Sequence, residues 1–354
     1  MLRHNNIRPD LPDLVKLLTE QKVSTSRLMW TADNSGPSWL REHGHLDYII
    51  SSAVELGADP ITAIQMATIN PAAYFGLDEE IGAIAPGREA DILLVKDLRA
   101  PAPRVVISRG RTVYKDGELQ IDYPRPAYYA RTRNVFTDPS SRLKVYSPKM
   151  FLIPAESDRE FPVVRLSSSV LTRRQDVLVR ARGGYLNCDP DQQILHFSVT
   201  NPRTGAIGNG FVTGVGFCPE GMAFTNLLSG VLAAWGTRPE EMARAANRAR
   251  ALGGGIVIMH GGEPAFEMSL PLTGSMSIAP LPEFASQMSG FFRYMHSRGF
   301  PFEDPFYTTR FVTWVGVPEI RLSTLGVVDA KTGAVLFPPT VPEPESTLGI
   351  EERE

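Results

Sequence analysis

The chain has 354 residues, 43% of them hydrophobic, which is enough to bury more than one core and excludes a wholly disordered chain. Thirty-six Lys and Arg against 39 Asp and Glu leave a net charge of -3, so no global basic field draws nucleic acid or an anionic membrane. Two cysteines, Cys188 and Cys218, are too few to staple a fold of this size and fit a reducing compartment; the polar stretch Met1 to Asp10 lacks a signal core, and no later run reaches the roughly 18 apolar residues of a membrane span. A cytoplasmic protein with neither a nucleic-acid nor a membrane partner is expected.

The first segment is written as an α/β domain. Arg27 to Thr31 reads as a buried strand that ends in the polar turn Asp33-Asn34-Ser35-Gly36-Pro37. From Leu46, the apolar positions Ile49, Ile50, Ala53 and Val54 recur at helical spacing and Gly57 stops them. Asp59 before Pro60 and Asn70 before Pro71 each read as a helix cap, with Gly76 closing the second of these helices.

After Leu77 the period becomes strand-like. Ile92 to Val95, Val105 to Ser108 and Thr112 to Tyr114 are separated by turns at Arg109-Gly110 and Asp116-Gly117 and predict a small all-β unit. Asp122 to Arg142, with Pro124, Pro126 and Pro139 among its arginines, has no sustained period and reads as a linker. A second α/β domain follows, with strands at Asp176 to Ala181 and Gln193 to Val199. Its best helix starts at Thr237, with Glu240 completing a capping box, and stops at Gly253-Gly254-Gly255. A strand at Ile256 to Met259 turns through Gly261-Gly262-Glu263 and returns as Ala265 to Leu270, and a helix at Pro282 to Arg298 ends at Gly299. The Pro- and Glu-rich tail predicts disorder.

Asp33 is the leading candidate for chemistry, because it lies at the C-terminal end of a predicted strand, where parallel α/β folds gather their sites. A carboxylate there can bind a divalent cation or relay a proton, or it can cap the turn before Pro37. His43-Gly44-His45 has the alternate spacing for two imidazoles on one metal, but a surface pair beside a helix start is the simpler reading. The glycine runs Gly253 to Gly255 and Gly205 to Gly210 lack the strand, loop and helix order of a phosphate cradle and read as turns and close sheet packing. His196 reads as a core imidazole, His260 and His296 as a turn and a helix-end residue, and Trp314 as core. Ser167-Ser168-Ser169 has no nucleophile context, and Glu303-Asp304-Pro305-Phe306 reads as a helix-to-strand connection.

The segment Ile81-Gly82-Ala83-Ile84-Ala85-Pro86-Gly87-Arg88-Glu89-Ala90-Asp91-Ile92 resembles the passage by which amidohydrolases leave their barrel and enter a small β-sandwich. Asp59-Pro60 to Asn70-Pro71-Ala72-Ala73 resembles the helix pair before it. Gly208 to Phe217, Leu252 to Ile258, Leu270-Pro271-Leu272 and Phe302 to Phe306 resemble the C-terminal domain of the adenine deaminase family. Phe224 to Ser229, which has no histidine, and Asp33-Asn34-Ser35 are closer to the adenine deaminase-like paralogues.

The resemblance implies an α/β and β architecture: residues 1–80 as the last strands and helices of a metal-dependent hydrolase (β/α)8 barrel, 81–121 as the small β-sandwich unit, 122–162 as a linker, 163–338 as the adenine deaminase C-terminal α/β domain and 339–354 as a disordered tail. It implies hydrolysis of adenine, a purine base, to hypoxanthine and ammonia at a binuclear site of divalent metal, manganese or iron. Asp33 would be both metal ligand and proton shuttle at the end of the eighth barrel strand. By the same resemblance the chain starts near the seventh strand, so the earlier ligands would come from an N-terminal barrel partner chain or a longer form of the protein, and Leu28, Ile49, Ile50 and Ile64 would lack packing partners within the chain. A homo-oligomer or an N-terminal barrel partner chain is the expected assembly; a non-catalytic assembly or regulatory module derived from the family, and an amidohydrolase acting on another cyclic amidine or amide, are the competing readings.

Overall fold

A computed structural model describes residues 1–33, 35–122, 134–226 and 230–342. Its contacts divide the chain into two units, Met1–Pro126 and Ala127–Glu354. Mixed sheets packed with helices make the class α/β.

The first unit opens with a strand that the polar N-terminus conceals. β1 (Leu2–Arg3) pairs in parallel with β2 (Trp30–Thr31), and α1 (Leu11–Thr19) connects them. Parallel strands need such a crossover, because the chain must return to the same edge before it can run in the same direction. α2 (Pro37–His43), α3 (Leu46–Glu55), α4 (Pro60–Gln65) and α5 (Ile69–Tyr74) follow. Only the end of the predicted Arg27 to Thr31 strand is paired.

Ile49 and Ile50, expected to want partners from outside the chain, are 1% and 7% exposed. Leu11, Val15, Trp30, Ala53, Ala63 and Met66 surround them, with Leu28 and Ile64 partly buried at the margin. α1, which the sequence reading passed over, supplies that cover. Burying each such isoleucine contributes about 1.5–3 kcal/mol, so this small core is held by its own residues.

Asp59 caps α4 as expected, its carboxylate accepting from the Thr62 amide at 2.8 Å. Asn70 does not cap α5, which begins one residue before it. Its Nδ2 donates instead to the carbonyls of Thr25 (2.7 Å) and Leu28 (2.8 Å), tying α5 to the approach of β2. Beyond α5, β3 (Ile92–Val95), β4 (Pro103–Ser108), β5 (Arg111–Lys115) and β6 (Glu118–Leu119) form an antiparallel meander. Arg109-Gly110 and Asp116-Gly117 take positive φ at both central turn positions, the geometry that matches strand twist in a two-residue hairpin.

The second unit is built on an eight-stranded sheet of order β17-β16-β14-β15-β12-β13-β8-β9. These strands are β8 (Arg159–Leu166), β9 (Thr172–Val179), β12 (Leu195–Thr200), β13 (Ile207–Thr213), β14 (Gly221–Asn226), β15 (Val231–Gly236), β16 (Gly255–His260) and β17 (Glu263–Ser269). Only β13 with β8 is parallel. β7 (Ile153–Pro154), β10 (Ala181–Arg182) and β11 (Tyr185–Leu186) make a small satellite sheet, and β18 (Ile320–Ser323), β19 (Gly326–Asp329) and β20 (Val335–Phe337) make another.

Period-two alternation sorts the central strands into two cores. Met222, Phe224, Ala233, Trp235, Ile256 and Ile258 enter one core, which α7 (Leu281–Ser297) covers with Met288, Phe291 and Met295. The intervening Ala223, Leu232, Ala234, Val257 and Met259 enter the other, against Met242, Ala243, Ala246 and Ala249 of α6 (Pro239–Ala251). Alanines on both surfaces let the helix lie close to the sheet.

The capping box expected at Thr237 is not made. The residue at the cap is Arg238, and Thr237 uses its amide on the Pro219 carbonyl at 3.0 Å. Gly253 to Gly255 do the predicted packing work: a Cβ on Gly254 would strike the backbone of Gly274, and one on Gly255 the Met268 carbonyl, both at positive φ. Glu303-Asp304 leads into a helix rather than a strand, α8 (Pro305–Phe311), which the buried Asp304 carboxylate caps through the Tyr307 amide at 2.7 Å. Trp314, expected in the core, is 37% exposed beside Phe311. The Leu227 to Ser229 part of the histidine-free stretch, Pro124 and Pro126 of the linker, and the tail from residue 343 lie outside the described residues.

Candidate active site

The ends of β1 and β2 open side by side. Leu2 faces Trp30 and Arg3 faces Thr31, and the chain beyond each strand is bound to the other by the His4 amide on the Thr31 carbonyl at 3.0 Å. The buried Asn5 carboxamide donates to the Ala32 carbonyl at 3.0 Å, which fixes the residue directly before Asp33.

Asp33 takes a φ of 51°, the left-handed region, which Asp adopts more readily than most residues and in which unusual backbone is held by its surroundings. Its amide donates to Thr31 Oγ1 at 3.1 Å, and its Oδ2 accepts from Arg3 Nη1 at 2.9 Å. Both partners of this ion pair are about two-fifths exposed, so it adds little to stability. Arg3, Asp33, Thr31, Asp10, Leu14, Met1 and Leu2 line an open cleft of about 470 Å³. A larger cavity of about 680 Å³ between α4, α5, β3 and β4 is walled mainly by apolar groups such as Ile64, Phe75, Ile84 and Leu93, with Glu89 and Asp91 also on its lining; the cleft at Asp33 differs in setting carboxylates beside the Arg3 guanidinium.

Beside it stands an aromatic group that the sequence reading missed. His4, 7% exposed, lies 6.0 Å from the Tyr48 ring and 6.1 Å from that of Trp39. Trp39 stacks on His43 at 4.0 Å. Burial holds the His4 imidazole below its ordinary value, opposed by Asp10 and by a backbone hydrogen bond at Arg8, with His43 adding a smaller lowering. Arg3 and His4 carried no usable signal, because a two-residue strand is too short for any periodicity.

His43 and His45 do not converge. His43 ends α2 within the aromatic group, Gly44 turns the chain at a φ of 97°, and His45 occupies the cap position of α3. Among the described residues no three His, Cys, Asp or Glu side chains come together as metal ligands. The binuclear centre implied by resemblance therefore does not fit the donors of the described residues alone, where Asp33 offers one carboxylate that already engages Arg3.

The remaining candidates are structural. His196 is 2% exposed in β12, and burial lowers its pKa to about 4. His260 sits on a hairpin turn, 3.4 Å from Glu220, and the His296 ring is 2.9 Å from the Phe302 carbonyl. Ser168 Oγ accepts from the Val170 and Leu171 amides in the β8–β9 turn. Burial pushes the Cys188 thiol up to about 11, which removes it as a nucleophile near neutral pH, and both cysteines are free. Among the described residues no helix is long and apolar enough to cross a membrane.

Comparison with known proteins gives two family matches in order along the chain: the amidohydrolase family over residues 3–113 and the adenine deaminase C-terminal domain over residues 169–334. The adenine deaminase of Moorella thermoacetica is 34% identical over 342 residues, 93% of this chain and 56% of its own length. That of Paracoccus denitrificans is 31% identical over 93% of this chain and 55% of its own, and the adenine deaminase 2 of Carboxydothermus hydrogenoformans 31% over 95% and 58%. The chain thus spans little more than half the length of the curated relatives it matches. A solved amidohydrolase from Thermotoga maritima MSB8 overlaps 32% of this chain and 37% of its own at 18% identity with a TM-score of 0.20, which carries no argument. Both matched regions and the similarity along 93% of the chain thus point the same way: this chain is similar to the adenine deaminases and to the amidohydrolase family.

Proposed function

We propose that this chain is the C-terminal part of an adenine deaminase, the hydrolase that converts adenine and water to hypoxanthine and ammonia. The observation that carries the reading is the 34% identity running through 93% of the chain, across both matched regions, to a relative named for that activity. Residues 1–80 would be the end of a barrel, whose parallel β1 and β2 present Asp33 at their C-terminal ends, and residues 81–121 a small β-sandwich unit. Residues 163–338 would be the family's C-terminal domain. The divalent metals of the reaction, manganese or iron, would be held chiefly by residues outside this chain, from an N-terminal barrel segment or a partner that supplies it.

In this reading Asp33 is the general base. It takes a proton from the water that adds to C6 of the purine and delivers it to the departing amino group, so that the C–N bond breaks and ammonia leaves. Arg3 occupies Oδ2, leaving Oδ1 as the oxygen for the proton.

The test is ammonia release from adenine by the purified chain mixed with the N-terminal portion of the Moorella relative, compared with each piece alone and with Asp33→Asn. Activity should appear only in the mixture, and Asp33→Asn should reduce it by roughly 10²–10⁴-fold, the usual worth of a positioned acid–base group. Undiminished activity in Asp33→Asn would remove Asp33 from the chemistry. Ammonia from another cyclic amidine or amide, with none from adenine, would change the substrate.

A further inference from the structure

Two arginines and two aspartates line one cavity of about 630 Å³ in the second unit. β9 runs on through Arg180 into β10, and the residues alternate: Val179 is buried, Arg180 exposed, Ala181 packed against the core and Arg182 exposed. Side chains two apart on an extended run share a face, so both guanidiniums stand on the same wall. The Asn187 carboxamide holds that wall in place, its Nδ2 donating to the carbonyls of Arg182 at 3.1 Å and Tyr185 at 2.7 Å.

The chain from Asn187 to Gln192 makes another wall, which carries Asp189 and Asp191. Asp189 caps a short helical turn, its Oδ1 accepting from the Gln192 amide at 3.2 Å and its Oδ2 from Gln192 Nε2 at 2.7 Å. The Gln192 contact holds the Asp189 carboxyl below the usual carboxylate range, and the Arg180 charge adds to the lowering, which puts that guanidinium within electrostatic reach of this wall. Among the described residues the side chains of Asp191, Arg180 and Arg182 make no hydrogen bond or ion pair. Arg and Asp pair readily where they can meet, as Arg174 and Asp176 do on β9 at 2.8 Å. Here the opposite charges are held apart, with Val177, Val179 and Ile194 lining the space beside them. The nearby groups are engaged elsewhere: Asp158 accepts from the Ala181 amide at 2.9 Å, and the Cys188 thiol turns to the Thr237 carbonyl at 3.3 Å. A wall of unpaired cations and a wall with an unpaired carboxylate, kept from closing on each other, complement a ligand that carries both charges.

We propose that this cavity binds a zwitterionic small molecule of the amino-acid class, with its carboxylate on the Arg180 and Arg182 wall, its ammonium group at Asp191 and an apolar side chain against Val177 and Ile194. Arginine suits the first role because its planar fork takes both oxygens of a carboxylate. A ligand with a single charge satisfies one wall and leaves the other as it is. This site is separate from Asp33 and does not depend on the deaminase reading.

The test is calorimetric titration of the full chain with leucine and, separately, with isocaproate and isoamylamine, which keep its apolar part and lack the ammonium group and the carboxylate respectively. Saturable binding of leucine at one site per chain is expected, with each single-charge analogue weaker by roughly tenfold or more. Arg182→Met and Asp191→Asn should each weaken leucine by a similar factor, and neither should lower the melting point, because both side chains are exposed and unpaired. Arg174→Met, on the same strand but outside the cavity, should bind leucine as the parent does. No saturable leucine binding, isocaproate or isoamylamine binding as tightly as leucine, or binding undiminished in Arg182→Met and Asp191→Asn would overturn the proposal.

Discussion

Replacing Asn209 by alanine removes a carboxamide that is fully enclosed in β13 and joins four separate parts of the second unit. Its Nδ2 donates to the carbonyls of Met150 (2.9 Å) and Leu152 (3.2 Å) and to Thr340 Oγ1 (3.0 Å), and its Oδ1 accepts from Ser198 Oγ at 2.5 Å. Two amide hydrogens serve three acceptors, so the group makes about three full bonds, each worth about 1 kcal/mol net. The variant also leaves the buried Ser198 hydroxyl and the two carbonyls without their partner, and each such loss costs roughly 1–3 kcal/mol where water cannot enter. Water reaching some of these groups brings the expected loss to about 3–5 kcal/mol, which lowers the melting point of a unit this size by roughly 10 °C or more. Near-UV circular dichroism follows the melting, and native-state hydrogen exchange localises the effect to amides of β12, β13 and residues 148–154. Adding Ser198→Ala should recover about 1 kcal/mol by removing the stranded hydroxyl. A loss below about 1 kcal/mol in Asn209→Ala would refute the reasoning, since it would mean that the polar cluster contributes no more than a surface contact.

Gly254→Ala forces a Cβ against the Gly274 backbone at a φ of 114°, and a loss of about 3 kcal/mol or more is expected, seen as an insoluble or low-melting protein; normal melting would show that the β16 approach is slack. His196 is held near 4 against an ordinary 6.5, so between these values the unfolded chain binds a proton that the folded chain refuses. Stability should therefore fall as the pH drops from about 6.5 towards 4, by about 1.4 kcal/mol per pH unit from this residue, and denaturant titrations of His196→Phe should lack that share of the slope. Asp33→Asn, which loses a half-exposed ion pair, should change stability by less than about 1 kcal/mol, so a large drop in melting point would show that the Asp33 turn is structural.

Elements with dense local signals were legible in the sequence. α3 has its apolar stripe, α4 its Asp-Pro start, and β3 to β5 their Gly turns, and each lies within a residue or two of its expected place. Two local readings failed because the residue is tied to a longer-range partner. Asn70 directs its carboxamide to Thr25 and Leu28, more than 40 residues away, and not to its own helix. Thr237 donates its amide to Pro219, whereas Asp304 caps locally, on the Tyr307 amide, and there the reading missed only that a helix follows. Sequence spacing identifies which groups can cap, and tertiary contacts decide which do.

The candidate site shows the same division. Asp33 could be singled out because a strand end is a local feature, but its surroundings come from residues about 30 positions earlier. Arg3, His4 and Asn5 reach it only through the β1–β2 register, and a two-residue parallel strand leaves almost no trace in a sequence. The cost of that short pairing is met by the core beneath it, where Leu11, Val15, Ile49 and Met66 hold α1 and α3 against Trp30. Register then follows from packing: sliding β1 by one residue would turn Leu2 out of the core and carry Arg3 away from Asp33. The ion pair at the strand ends is thus a consequence of apolar residues that touch neither charge, and a substitution such as Val15→Ala would disturb the site through β1 while leaving every polar group in it unchanged.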